Sequence, residues 1–223
     1  MRFGHVNLLA MAAMSAAPTA MAGVVFESVS TDTNGSISNA YSSGGSYFYA
    51  TSTGQAFSIE DDVNLDGITF WGSTQNFTGG QLANMAGYEV IIWNTDFGSI
   101  AAQWTLSAGD VTAISTGDEN IYNGLEFAIS GTISGTLAAG SYVMNIGGFQ
   151  IDPNGDSFVW STGSIVGGWW YTQNPTWGTW KEAPLMIASE PGGAFRLNGT
   201  VVPAPGALAV LGLAGLATGR RRR

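Results

Sequence analysis

Residues 88–94 read YEVIIWN, that is Tyr88-Glu89-Val90-Ile91-Ile92-Trp93-Asn94. Tyr88, Val90, Ile92 and Asn94 share one parity, and Glu89, Ile91 and Trp93 share the other. β-Branched and aromatic residues at this density favour an extended chain, whose side chains alternate between two faces. Such runs read as half-buried antiparallel strands, with one face on the core. Similar runs recur outward in both directions: VVFESV (24–29), SYFYAT (46–51), QAFSIE (55–60), GITFWG (67–72), AAQWTL (101–106), LEFAIS (125–130), GTISGTL (131–137), SYVMNIG (141–147), SFVWSTG (157–163), GWWYT (168–172) and AFRLNGTVV (194–202). Gly, Asn, Asp and Ser separate them, as turns require. No stretch of a dozen residues carries a helical period. The expectation is an all-β fold, an antiparallel β-sandwich or jelly roll forming a single domain. Residues 30–45, rich in Ser, Thr, Asn and Gly, are expected to be a flexible loop.

Charge divides the 223 residues into three parts. Arg2 and Arg220 to Arg223 hold five of the seven basic residues at the ends. The interval between them keeps Lys181 and Arg196 against sixteen carboxylates, a net charge of −14. Phosphate binding needs Lys and Arg to displace counterions, so nucleic acid and anionic lipid are poor partners. Residues 1–22 read as a signal peptide: Arg2, an apolar stretch from Leu8 to Ala17, and the small-x-small site Ala20-Met21-Ala22. The domain is then 23–200. There is no cysteine, so disulfides and thiolate metal sites are excluded.

Residues 201–223 have a logic of their own. Val202-Pro203-Ala204-Pro205 precedes a short apolar stretch rich in Gly and Ala, and Arg220, Arg221, Arg222 and Arg223 follow it. Such a segment is a marginal span with a strong stop on the cytoplasmic side. It resembles a PEP-CTERM sorting signal, with Ala204 standing where that family usually has glutamate. The resemblance implies recognition by an exosortase-type processing enzyme, transient inner-membrane association, tail removal, and delivery to the cell surface or an exopolysaccharide matrix. The other reading of this tail is an ordinary C-terminal anchor helix. The domain is also similar to the bodies of many small PEP-CTERM proteins, all-β sandwiches mostly without a described activity. Three stretches carry this likeness: Glu60-Asp61-Asp62 before Ile68-Thr69-Phe70-Trp71-Gly72, Leu137-Ala138-Ala139-Gly140-Ser141-Tyr142, and Gly193-Ala194-Phe195-Arg196-Leu197-Asn198-Gly199.

Two groups of residues suggest binding. Asp62, Asn64 and Asp66 with Gly67 match the start of a calcium loop, in which oxygens at alternate positions converge as the chain curls. Position 12 of that motif is Ser73 rather than glutamate. The alternative is an acidic turn whose side chains cap backbone amides. Asp152-Pro153-Asn154-Gly155-Asp156 is a second oxygen-rich turn. Trp160, Trp169, Trp170, Tyr171, Trp177 and Trp180 crowd one stretch, with Gln173 and Asn174 nearby. Exposed, the rings of Trp169, Trp170, Tyr171, Trp177 and Trp180 would stack on sugar C–H faces; buried, they would plug one end of the core.

His5, the one histidine, lies in the signal segment. Triad chemistry and His-ligated zinc are thereby excluded from the domain. Paired carboxylates remain, with Glu89, Glu126 and Asp118 among the candidates for a glycosidase. The expected function is an exported, non-enzymatic structural or adhesive protein in contact with polysaccharide. A carbohydrate-binding module using the tryptophan-rich loop is the alternative, and a carboxylate-based glycosidase the third reading.

Overall fold

The structure, a computed structural model, describes residues 23–37, 50–75, 82, 85–95, 99–120, 124–151, 157–174, 179–180 and 185–203. Ala204, Pro205, Arg220 to Arg223, Trp177, the expected signal peptide at 1–22 and the expected turn at 152–156 lie outside the described residues.

The described chain is antiparallel β-structure. Its strands are β1 (Gly23–Ser28), β2 (Ser30–Ile37), β3 (Ala50–Ile59), β4 (Val63–Gln75), β5 (Met85–Asn94), β6 (Ile100–Ser107), β7 (Val111–Glu119), β8 (Leu125–Gly131), β9 (Gly135–Leu137), β10 (Gly140–Gln150), β11 (Ser157–Asn174), β12 (Thr179–Trp180), β13 (Leu185–Gly193) and β14 (Phe195–Val201). Among the described residues, no helix is long and apolar enough to cross a membrane. The all-β expectation holds. Three details differ. Residues 30–37, expected in a flexible loop, form β2. β7 and β13 arise where no strand was expected, and the two runs at 157–163 and 168–172 are one strand, β11.

Hydrogen bonding orders the principal strands β1-β14-β4-β11-β3-β10-β5-β6, with β8 and β9 on β4 and β7 on β8. β4 joins β11 over a short register, Gly72↔Trp160 to Gln75↔Ser157. On either side of that seam the chain folds back on itself through its rings. Phe70 of β4 lies edge-on to Tyr88 of β5, centroids 5.0 Å apart. Phe57 of β3 meets Phe195 of β14 at 5.4 Å. Edge-to-face contact suits the aromatic quadrupole and adds to the area buried. The core thus sits between the β1-β14-β4-β8 strands and the β3-β10-β5-β6 strands.

The two parities of β5 take opposite faces as expected, but both faces are buried where a half-buried strand was expected. Tyr88, Val90 and Ile92 enter this core, while Ile91 and Trp93 form a second buried cluster with Val143 on the opposite face. Burial pushes the Tyr88 phenol well above its usual range, because the charged form would lose its water.

Ala194 marks the place where β13 leaves β11 and the chain continues as β14 beside β4. Its N–H donates to Ser161 O at 2.8 Å, and its carbonyl accepts from Trp71 N at 3.2 Å. The same carbonyl accepts the buried Trp160 indole N–H at 2.8 Å. A polar ring edge can enter a core when it finds such a partner. Gly193 makes room for the indole, since a Cβ there would fall 2.0 Å from Trp160 Cε2.

Candidate functional site

A cleft of about 490 Å3 opens on the outer side of β4 and β8, between β2 and β7. That volume is within the usual range for small-ligand sites. Four strands far apart in sequence supply its walls. On β4, Ile68 and Phe70 point to the core, which sends Trp71 to the other face, where it lines the cleft. On β8, Ile129 is core, and Glu126 has the opposite parity. β2 nevertheless approaches that side closely enough to leave Glu126 only 2% exposed. Ser30 donates its hydroxyl to Glu126 Oε1 at 2.7 Å, and Thr116 donates to Oε2 at 3.0 Å. Thr33 ties β2 to β7 by donating to Glu119 O at 2.9 Å.

The β7 wall is shaped by a bulge. Ser115 pairs with Phe127 and Glu119 with Leu125, so β7 carries two extra residues between these pairs. Gly117 sits in the bulge at φ +90°, a conformation that glycine adopts without a Cβ clash. Bulges redirect side chains, and this one presents Thr116 and Asp118 to the cleft. Behind it, buried Asn120 holds the β7–β8 turn to β4. Its amide donates to Ser73 Oγ at 2.7 Å, and its oxygen accepts from Gly124 N at 2.9 Å.

The cleft is acidic. Asp32, Asp118, Glu119 and Glu126 line it, and no described lining residue is basic. Arg196 lies beside it rather than in it. Its Nε donates to Glu27 Oε1 at 2.7 Å, and its guanidinium carbon stands 5.7 Å from the Trp71 ring centroid. A carboxylate offers about four acceptor positions, and the Ser30 and Thr116 hydroxyls occupy one on each oxygen of Glu126. Glu126 and Asp118, separate in sequence, therefore share one site. Glu89 does not join them. It accepts from Gln103 at 2.7 Å on the β5–β6 pair, where burial raises its pKa and the Gln103 bond partly opposes the rise.

The residues expected to bind calcium lie elsewhere. The chain is extended from Val63 onward, and Asp62, Asn64 and Asp66 alternate along its exposed side. At about 3.3 Å per residue, Asp62 and Asp66 are roughly 13 Å apart along the strand, whereas a calcium loop curls its ligands around one point. Asp62 Oδ1 accepts Ala139 N–H at 2.8 Å, and Asn64 Oδ1 accepts the Thr136 hydroxyl at 2.9 Å. Among the described residues, no three His, Cys, Asp or Glu gather as a metal-binding group. The Asp62 bond also joins two of the stretches singled out in the sequence, since Ala139 belongs to Leu137–Tyr142. There Tyr142 closes the turn by donating to Ala138 O at 2.8 Å. The third stretch is β14, paired with β4 from Phe195↔Phe70 to Val201↔Val63.

Of the tryptophan-rich stretch, Trp160 is core. Trp169, Trp170 and Tyr171 lie on β11, where Trp169 pairs with Gly54 and Met186, and Trp170 with Thr53 and Leu185. Trp180 pairs with Gln173. The register places Ile91, Asn145, Gly54 and Trp169 in one row across four strands. Val202 and Pro203 follow β14 and are exposed, and Val202 N donates to Asp62 O at 2.7 Å. The domain thus remains hydrogen-bonded up to the start of the tail. No known family model matches this chain, and no curated protein matches it.

Sequence reasoning did not single out Trp71 as a binding residue, and it left Glu126 and Asp118 without a location. The mostly polar residues of β2 and β7 gave no local signal, since their strand state comes from pairing with β11 and β8.

Proposed function

We propose that this is an exported, non-enzymatic protein of the cell surface or exopolysaccharide matrix, with a β-sandwich domain that holds polysaccharide in the Trp71–Glu126 cleft. The observation that carries the reading is the composition of that cleft. An aromatic ring, threonine and serine hydroxyls, and oriented carboxylates line one opening of oligosaccharide size. A ring covers sugar C–H surface, while fixed oxygens select hydroxyl positions. The location rests on the signal-like residues 1–22 and on the resemblance of Val202–Arg223 to a sorting tail processed by an exosortase-type enzyme. The test is a glycan array probed with the full chain and with Trp71→Ala. Binding that Trp71→Ala abolishes supports the cleft, and binding that survives the substitution refutes it.

A second reading places the saccharide on the Trp169 side of β11. The row Ile91, Asn145, Gly54, Trp169 favours it, because it puts an aromatic residue beside a glycine on the sheet. On that reading Trp169→Ala, not Trp71→Ala, removes the array signal.

A further inference from the structure

We infer that the Trp71–Glu126 cleft selects a positively charged saccharide, the glucosamine unit of a de-N-acetylated polysaccharide, over neutral and acidic sugars. This deepens the saccharide reading above and rests on it. Four carboxylates face the cleft without a basic residue among the described lining. A uronic or sulfated sugar would meet like charge from the β2, β7 and β8 walls. A neutral sugar would satisfy hydrogen bonds but leave the field of these groups unanswered. An ammonium group on the sugar ring would meet both needs. It pairs with the exposed carboxylates of Asp118 and Glu119, which line the cleft. The carboxylates do not form a metal-binding group. They are spread over β2, β7 and β8, which suits charge distributed along a chain better than a single ion. The rest of the molecule adds a long-range pull, since −14 between the two ends steers cationic polymers inward.

The test uses the full chain and two tetrasaccharides of the same ring, one of glucosamine and one of N-acetylglucosamine, in low-salt, mildly acidic buffer by calorimetry. Acetylation removes the charge and leaves the ring. The expected result is at least about tenfold tighter binding of the glucosamine tetramer, weakening with added salt. Asp118→Asn and Glu119→Gln change exposed residues, and an unchanged melting temperature will show that they fold. Each should weaken the glucosamine tetramer about threefold, the scale of one unit charge a few ångströms away near water. Glu60→Gln and Asp61→Asn, exposed and outside the cleft, should leave it unchanged. Equal affinity for the two tetramers overturns the inference while the saccharide function stands. So does equal loss from the Glu60 and Asp61 variants, which would mean diffuse attraction. If neither tetramer binds but another saccharide does, in a Trp71-dependent way, the selectivity claim falls alone. If no saccharide binds, both readings fall.

Discussion

Trp160→Phe tests how the two groups of strands are joined. The Trp160 indole is 1% exposed and donates to the Ala194 carbonyl at 2.8 Å, where the chain passes from β13, beside β11, to β14, beside β4. Phenylalanine keeps a ring and loses the N–H. The Ala194 oxygen keeps its bond from Trp71 N at 3.2 Å, so it is not left unsatisfied, and the lost hydrogen bond costs about 1 kcal/mol. The smaller ring leaves a void of roughly 40 Å3, which at about 24 cal/mol per Å3 adds close to 1 kcal/mol. The lost apolar contact contributes a comparable amount. We expect a destabilisation of about 2–3 kcal/mol. For a domain of this size that is roughly a 5–10 °C drop in Tm. Thermal melts and urea titrations followed by far-UV circular dichroism will read it, with the urea slope unchanged. A fall below about 2 °C would show that Trp160 does not fix this junction, and the account of Ala194 would be wrong.

Four further outcomes follow from the same contacts. Gly193→Ala should be worse than Trp160→Phe, because its Cβ meets the indole at 2.0 Å and overpacking costs about 1–3 kcal/mol or more; combining it with Trp160→Phe should recover part of the loss in urea midpoint. Glu89 has a raised pKa through desolvation, so its native form holds a proton more firmly than the unfolded chain and stability falls as pH rises from about 4.5. Glu89→Gln should therefore exceed wild type in urea midpoint at pH 7, with the gap closing toward pH 4; a gap that widens on acidification reverses the argument. Asp62→Ala should lose about 1 kcal/mol through the Ala139 N–H, equally in calcium and in EDTA; a loss seen only with calcium would point to a bound ion. Gly117→Ala meets no atom within 4 Å but keeps φ at +90°, so it should cost about 1 kcal/mol of strain and also weaken saccharide binding by misplacing Asp118.

Local patterns carried the fold further than the site. The alternation in 88–94 assigned the residues of β5 to its two faces, while the burial of Ile91 and Trp93 opposite Tyr88 went beyond the half-buried strand expected. It worked because each residue's neighbours on the strand report which face is covered. β2 and β7 were missed for the converse reason. Their residues are mostly polar, and their strand state comes from pairing with β11 and β8, which lies outside any local window. The cleft inherits that difficulty, since Ser30 and Glu126 are 96 residues apart. The D-x-N-x-D-G stretch differs from its motif in another way. Its oxygens fit a loop, but the pairing of Asn64 with Thr136 and Thr200 keeps the chain extended. Trp71 was visible as a strand residue, yet its place in the cleft depends on which face of the β4–β8 pair lies between β2 and β7.

Hydrogen exchange with and without a saccharide identified on the array would test the central claim most directly. Protection in the peptides spanning 29–33 and 115–119 and around Trp71 and Glu126, with little change elsewhere, is the predicted footprint of a ligand in the cleft. Protection concentrated in 168–174 and 141–147, with those peptides unaffected, would contradict the account and place the ligand on the Trp169 side of the sheet.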